Sequence, residues 1–345
     1  MKITQQIQIS MKRFKTILFA SVATVAAVAQ TAPVNPNATA EAKQLLEVVY
    51  NQRGKGTLSG QHNYPLFSDI YMERVENLTD GHHPVVMGQD FGYSKTNSLD
   101  GINYRQRTVD NAIKWYKKGA IVTLMWHSVP PTVRDNYTTW QGKYGVQSKM
   151  TAEQWKSLFT EGSELNNNWK TQVDIIAFFL KQLEEAQVPV IWRPYHEMNG
   201  DWFWWSSGTP DDYKKLYRML YERLTNYHGI DNLLWVFNGN ELGSPNVKDY
   251  ELYFPGHDVV DILATDIYRH NYNPRDYDAL QKLAKGKPIA WGEVGKMPTP
   301  EIIREQPNWV WFMCWSEFLE TSNEWAPRKE LYDSKEVITL EEFTK

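Results

Sequence analysis

Eight short apolar runs, separated for the most part by helix-patterned stretches, constrain the fold of this chain more than any other feature. The runs are Gly56–Gln61, Pro84–Phe91, Ala120–His127, Val188–His196, Asn232–Phe237, Val259–Tyr268, Pro288–Glu293 and Trp309–Trp315. They are continuously apolar, as expected of strands covered on both faces. Helical patterns at Tyr104–Lys118, Gln172–Ala186, Asp211–Tyr227 and Tyr277–Lys285 precede the third, fourth, fifth and seventh runs. Pro210 before Asp211 and Asp212 suits a helix start, where proline loses no hydrogen bond and acids meet the positive dipole end. Strand–helix alternation on this scale predicts an α/β fold, a single-domain parallel (β/α)8 TIM barrel.

The alternation begins only near residue 40. Before it, Lys12, Arg13 and Lys15 form a basic start, Thr16–Val28 is apolar, and Ala27-Val28-Ala29 supplies small residues. Residues 1–29 read as a secretory signal peptide, with Met11 as its start, and the apolar run is too short to span a bilayer. Residues 30–39 read as a linker, and the barrel occupies 40–345, opening on a helix that carries Leu45, Leu46, Val48 and Val49. Export is therefore expected, with the periplasm as destination and the extracellular space as the alternative. The single cysteine, Cys314, permits no intrachain disulfide, so stability must rest on a large core. Lying between Met313 and Trp315 in the eighth run, Cys314 reads as a packing residue. A net charge of −4 without any basic tract argues against a nucleic-acid partner. Ser128–Trp169, between the third run and the next helix, is long enough to shape a cleft.

In parallel barrels the active site forms at the C-terminal strand ends. Gln61 and His62 stand there on the first strand, Gln89 and Asp90 on the second, Trp126 and His127 on the third. Arg193, His196 and Glu197 follow on the fourth, Asp266 and Tyr268 on the sixth, Glu293 on the seventh, and Trp315 and Glu317 on the eighth. For His62 and Asp90 a purely structural role accounts for the residue equally well. The fourth strand opens into VIWRPYHEMNGDWFWW at Val190–Trp205, and the seventh into PIAWGEVG at Pro288–Gly295. Tryptophan faces stack on the C–H faces of pyranose rings, and fifteen tryptophans in 345 residues fit a carbohydrate groove. Trp204 and Trp205 read equally as groove walls or as packing.

Two carboxyls flanking a groove are what glycosidic bond cleavage requires. Glu197 reads as the general acid and base, Glu293 as the nucleophile. Arg193 and Tyr268 are the donors that would hold Glu293 as a carboxylate. Apolar walls such as Trp202, with the negative field of Glu293, would keep Glu197 protonated. Carboxyls about 5–5.5 Å apart would give retention of anomeric configuration. His196-Glu197 begins like a zinc-protease motif, but Gly200 stands where the second histidine belongs, so neither metal nor cofactor is expected.

At these residues the chain resembles glycoside hydrolase family 26, whose best-known members are β-1,4-mannanases. The resemblance is carried by WRPYHEMNGDWFWW at Trp192–Trp205 and WGEVG at Trp291–Gly295. GTLSGQHN at Gly56–Asn63, VTLMWHS at Val122–Ser128, ATDIY at Ala264–Tyr268 and FMCWSEF at Phe312–Phe318 agree with it. It implies a (β/α)8 barrel with the acid–base at Glu197 and the nucleophile at Glu293. It further implies that Arg193 and His196 order the nucleophile and the sugar, that Tyr268 holds Glu293, that Trp315 floors the −1 subsite, that Trp202 borders the leaving-group side, and that His127 contacts the glycone. The expected partner is β-mannan polysaccharide or its oligosaccharides. Members acting on mixed-linkage β-glucan or β-1,3-xylan leave those substrates as alternatives, and a non-catalytic glycan-binding barrel is the alternative of another class. One departure stands out. Some family mannanases carry an arginine directly after the tryptophan of the last strand, gripping a distal mannose, and this chain has Ser316 there.

Overall fold

The computed structural model describes residues 32–92, 104–133, 145–269 and 271–343. Within them, eight parallel strands close into a barrel: β1 (Gly60–Asn63), β2 (Val86–Asp90), β3 (Ile121–Trp126), β4 (Val190–Pro194), β5 (Leu233–Asn240), β6 (Ile262–Ile267), β7 (Ile289–Val294) and β8 (Trp309–Cys314). Each pairs with its successor, and β8 pairs with β1 through Gln61 and Cys314, which closes the ring. Every strand residue is buried, which is why the runs lack apolar–polar alternation. The predicted signal peptide lies outside the described residues.

The core has two layers. Inside the barrel, Val86, Ile121, Ile191, Leu234, Ile262 and Val310 form one apolar cluster with Leu45, Leu46 and Val49 of the helix Ala40–Gln52, which seals the N-terminal mouth. Between barrel and outer helices, Trp192, Trp235, Trp291 and Trp309 pack against helical residues such as Ile176, Leu216 and Leu280. Each such apolar side chain contributes about 1.5–3 kcal/mol by leaving water, which suffices without a disulfide. Nine of the fifteen tryptophans are almost wholly buried, so most of the aromatic excess builds this shell and not the groove. Cys314 is buried with them, and burial pushes its thiol far up.

Element ends depart from the apolar pattern where polar caps extend them. The helix before β4 begins at Glu164, not Gln172, because Ser163 caps it through the Asn166 N–H. That start is polar, so the hydrophobic period misses it. The long connection after β3 is correspondingly shorter, and it holds a further helix, Ala152–Leu158, set by a Thr151/Gln154 capping box. The helix after β4 starts at Pro210 under a Thr209/Asp212 box, and residues Glu222–Tyr227 widen into a π turn. β5 runs on through Asn238, Gly239 and Asn240, past the point where its apolar pattern stops. The first predicted strand divides into Thr57–Leu58, which pairs with Val337–Ile338, and β1.

Candidate active site

The chain leaves β4 through two residues in the left-handed region, Tyr195 (φ 47°) and Glu197 (φ 54°). Such conformations cost about 1–3 kcal/mol each and persist only where the surroundings fix them. Here Glu197 N–H donates to the Asn238 carbonyl at 2.8 Å, Trp205 Nε1 to the His196 carbonyl at 2.8 Å, and Trp169 Nε1 to the Tyr195 hydroxyl at 3.0 Å. The turn sets the Glu197 carboxyl between two neutral donors, Trp202 Nε1 on Oε2 at 2.7 Å and Asn240 Nδ2 on Oε1 at 2.8 Å. Burial, and secondarily the charge of Glu293, push its pKa up to about 7 against those two hydrogen bonds. Trp202 therefore acts on Glu197 as a hydrogen-bond donor, contrary to the apolar role expected of it, and opposes the upward shift. Asn240 is a site residue that the strand-end reading missed. Its signal was the polar Asn238-Gly239-Asn240 run closing β5, the one strand that seemed to deliver nothing.

Glu293 faces a different set of partners. Arg193 Nη2 donates to its Oε1 at 2.8 Å and the Tyr268 hydroxyl to its Oε2 at 2.6 Å, while His196 Nε2 lies 3.7 Å from Oε1. Burial and then the Glu293 charge push the Tyr268 phenol well up, so it stays a donor. Arg193 is itself fixed by Asn238 Oδ1 at 2.7 Å and Asp266 Oδ1 at 3.4 Å. Asp266 is fully buried, and burial with the Glu293 charge pushes its carboxyl well above the usual range.

A slip in strand register aims Glu293 inward. Thr265 of β6 pairs with Trp291, but the next residue, Asp266, pairs with Glu293, so Gly292 is supernumerary. Trp291 packs among the aromatics of the outer shell, stacked on Trp309 with ring centroids 4.8 Å apart. In a regular strand Glu293 would follow Trp291 to that side, and the extra residue turns it into the barrel. Gly292 also makes room for the charges. A Cβ there would lie 2.6 Å from Arg193 Nη1, 2.7 Å from Asp266 Oδ1 and closer still to Asn238 Oδ1.

The remaining predicted residues form the rim. His127 Nδ1 pairs with Asp90 Oδ2, and Asp90 Oδ1 accepts the backbone N–H of His127 at 3.1 Å and of Gly92 at 2.7 Å. The His127 ring meets the His196 ring edge-on at 4.5 Å. His62 stacks on Trp315 at 3.8 Å with its Nδ1 2.9 Å from Ser316 Oγ, and burial drives its pKa down to about 3, so it is neutral. Asp90 and His62 thus each support a predicted groove residue. Gln61 and Gln89 bond backbone carbonyls of Ser316 and Ser68. Glu317 leads into the short helix Phe318–Thr321. Trp204 and Trp205 are fully buried and are packing residues.

His196, Asp266 and Glu293 bring one potential metal ligand each within 4.8 Å of one another. The Arg193 guanidinium already contacts both carboxylates there, and a cation would have to share the space with it. The cluster is better suited to holding the arginine.

Residues 34–342 match the family described as Glycosyl hydrolase family 26. A mannan endo-1,4-beta-mannosidase of Thermothelomyces thermophilus is 33% identical over 330 residues, covering 90% of this chain and 62% of that protein. Measured against three such curated relatives, this chain spans between 50% and 62% of their length. Among solved structures, GH26A from a Muricauda species superimposes with a TM-score of 0.82 at 42% identity, covering 89% of this chain and 99% of that one. The GH26-CBM35 beta-(1,4)-mannanase of Podospora anserina gives a TM-score of 0.76 at 31% identity, covering 90% of this chain and 68% of that one. With a family match over nearly its whole described length and a barrel that superimposes on solved members, the chain belongs to glycosyl hydrolase family 26.

Proposed function

We propose that this chain is a retaining β-mannanase that cleaves β-1,4-mannosidic bonds in mannan, galactomannan or glucomannan. The observation that carries the catalytic assignment is the contrast between the two carboxyls. Glu197 is buried among neutral donors with its pKa near 7, whereas Glu293 accepts from a guanidinium and a phenol. The substrate assignment is supported by relatives named as mannan endo-1,4-beta-mannosidases.

In the first step Glu197 gives its proton to the glycosidic oxygen while Glu293 attacks the anomeric carbon. The carbon–oxygen bond to the leaving sugar breaks, and a glycosyl ester forms on Glu293. Esterification removes the negative charge that helped hold the proton on Glu197, whose carboxylate is then the better base. In the second step Glu197 takes a proton from water, the hydroxide attacks the anomeric carbon, and Glu293 is released. Two inversions give net retention. His127, Trp315 and His196 are proposed to contact the glycone sugar, and Trp202 to border the leaving group while orienting Glu197.

Reducing-sugar release from galactomannan, glucomannan, lichenan and β-1,3-xylan tests the proposal, with Glu197→Ala and Glu293→Ala as controls. Turnover of galactomannan or glucomannan, lost in both variants, is expected. Turnover of lichenan or xylan alone would move the same chemistry to another β-glycan, and binding without any turnover would make the barrel a glycan-binding protein. Export, to the periplasm, belongs to the same proposal and rests on the basic and apolar N-terminal pattern. N-terminal sequencing of protein recovered outside the cytoplasm should find cleavage near Ala29.

A further inference from the structure

An exposed aromatic side chain stands on the catalytic rim, connected to the predicted sugar floor by an unbroken series of ring contacts. Trp315 Nε1 donates to the Tyr64 hydroxyl at 2.9 Å, and the two rings meet edge-to-face at 5.8 Å. Tyr64 in turn meets Phe67 edge-to-face at 6.4 Å. Tyr64 is buried, but Phe67 is 42% exposed. Both follow directly on the C-terminal end of β1, the end that bears the chemistry, with Phe67 in the turn Pro65–Phe67.

That turn is built to hold its shape. Arg107 Nη1 donates to the Leu66 carbonyl at 2.9 Å and to the Pro65 carbonyl at 3.3 Å. Gln89 Nε2 donates to the Ser68 carbonyl at 2.6 Å, and Ser68 adopts a left-handed φ of 58°. The helix that follows the turn, Ile70–Leu78, is tied to the short helix Phe318–Thr321 after β8 by an ion pair between Arg74 and Glu320 at 2.7 Å. Phe67 thus meets Tyr64 along one edge, and the rest of this large apolar side chain is left open to solvent. An aromatic ring so placed, continuous with a carbohydrate groove, offers a flat face to a sugar.

Ser316, which follows Trp315 directly, is fully buried and directs its hydroxyl at His62, with Oγ 2.9 Å from Nδ1. We propose that Phe67 is the stacking platform for the mannosyl unit beyond the −1 sugar on the glycone side, so that this chain holds its distal sugar by an aromatic face. The inference rests on the mannanase reading and names a specificity-determining residue for it.

The test compares wild type with Phe67→Ala and Phe67→Tyr in the full chain. The substrates are mannohexaose, which fills the distal position, and an aryl β-mannoside with a good leaving group, which does not reach it. Phe67→Ala should lower kcat/KM for mannohexaose about tenfold, mainly through KM, and leave the aryl mannoside unchanged. Phe67→Tyr should restore most of the loss. Unchanged kcat/KM for mannohexaose in Phe67→Ala overturns the inference, as does an equal fall on both substrates, which would mark a disturbed loop. No turnover of any mannan by wild type would instead defeat the underlying reading, and this inference with it.

Discussion

The Glu197 side and the Glu293 side of the groove hold the same functional group in opposite surroundings. Around Glu293 a guanidinium and a phenol donate, Arg193 from β4 and Tyr268 from just past β6, and Asp266 of β6 pairs with the arginine in turn. Around Glu197 the contacts are neutral, from an amide and an indole, and the residue sits on a strained turn beyond its strand. On the proposed mechanism a cationic partner suits the group that must attack as a carboxylate, and burial among neutral donors suits the one that must hold a proton and then release it. The pairing rests on single residues, and each can be tested.

The largest expected effect comes from removing the nucleophile. Glu293→Ala should lower kcat on mannan by on the order of 10⁴-fold or more, as loss of a covalent nucleophile does elsewhere. Glu197→Ala should lower kcat on mannan by about 10²–10⁴-fold, the usual contribution of general acid catalysis. The loss should shrink on an aryl mannoside whose leaving group needs no proton. If both variants respond equally to leaving-group quality, the division of roles fails. Arg193→Met leaves Glu293 and Asp266 facing each other without their cation, and breaking such a buried pair costs about 3–5 kcal/mol of stability in a denaturation experiment.

Smaller effects concern pH. On the proposed mechanism only the protonated form of Glu197 begins the reaction, so kcat/KM should fall as pH rises through about 7. Trp202→Phe removes a hydrogen bond that favours the carboxylate and should move that alkaline limb to higher pH by up to about one pH unit. A limb that moves down, or does not move, would mean that the indole N–H is not coupled to the titrating group. The same proton affects folding. Its pKa is raised in the folded chain from 4.5 to about 7, so the native state binds the proton more tightly. The resulting stabilisation is full below 4.5 and is lost as pH rises to about 7. At about 1.4 kcal/mol per pH unit this amounts to roughly 3 kcal/mol across the window, and Glu197→Gln should flatten the stability curve there.

The barrel was legible because buried parallel strands leave continuous apolar runs, and the two carboxyls because they end such runs. What escaped the sequence is mostly polar. Asn238 and Asn240 lie in a strand whose inward residues serve the site and not the core, so the apolar period stops before the strand does. Gly292 matters through a register slip that no local pattern marks. Trp202 was visible, but whether an indole presents its face or its N–H is decided by the turn around it. Phe67 resembled any loop aromatic until its ring contact with Tyr64 placed it one ring away from Trp315.

Anomeric analysis of azide rescue tests the division of roles most directly. With an activated aryl β-mannoside and azide, Glu197→Ala should regain turnover and yield the β-mannosyl azide, because azide intercepts the glycosyl ester formed on Glu293. Glu293→Ala should yield the α-mannosyl azide, because azide then attacks the substrate in place of the missing carboxylate. The exchanged pattern, or the same anomer from both variants, would contradict the account.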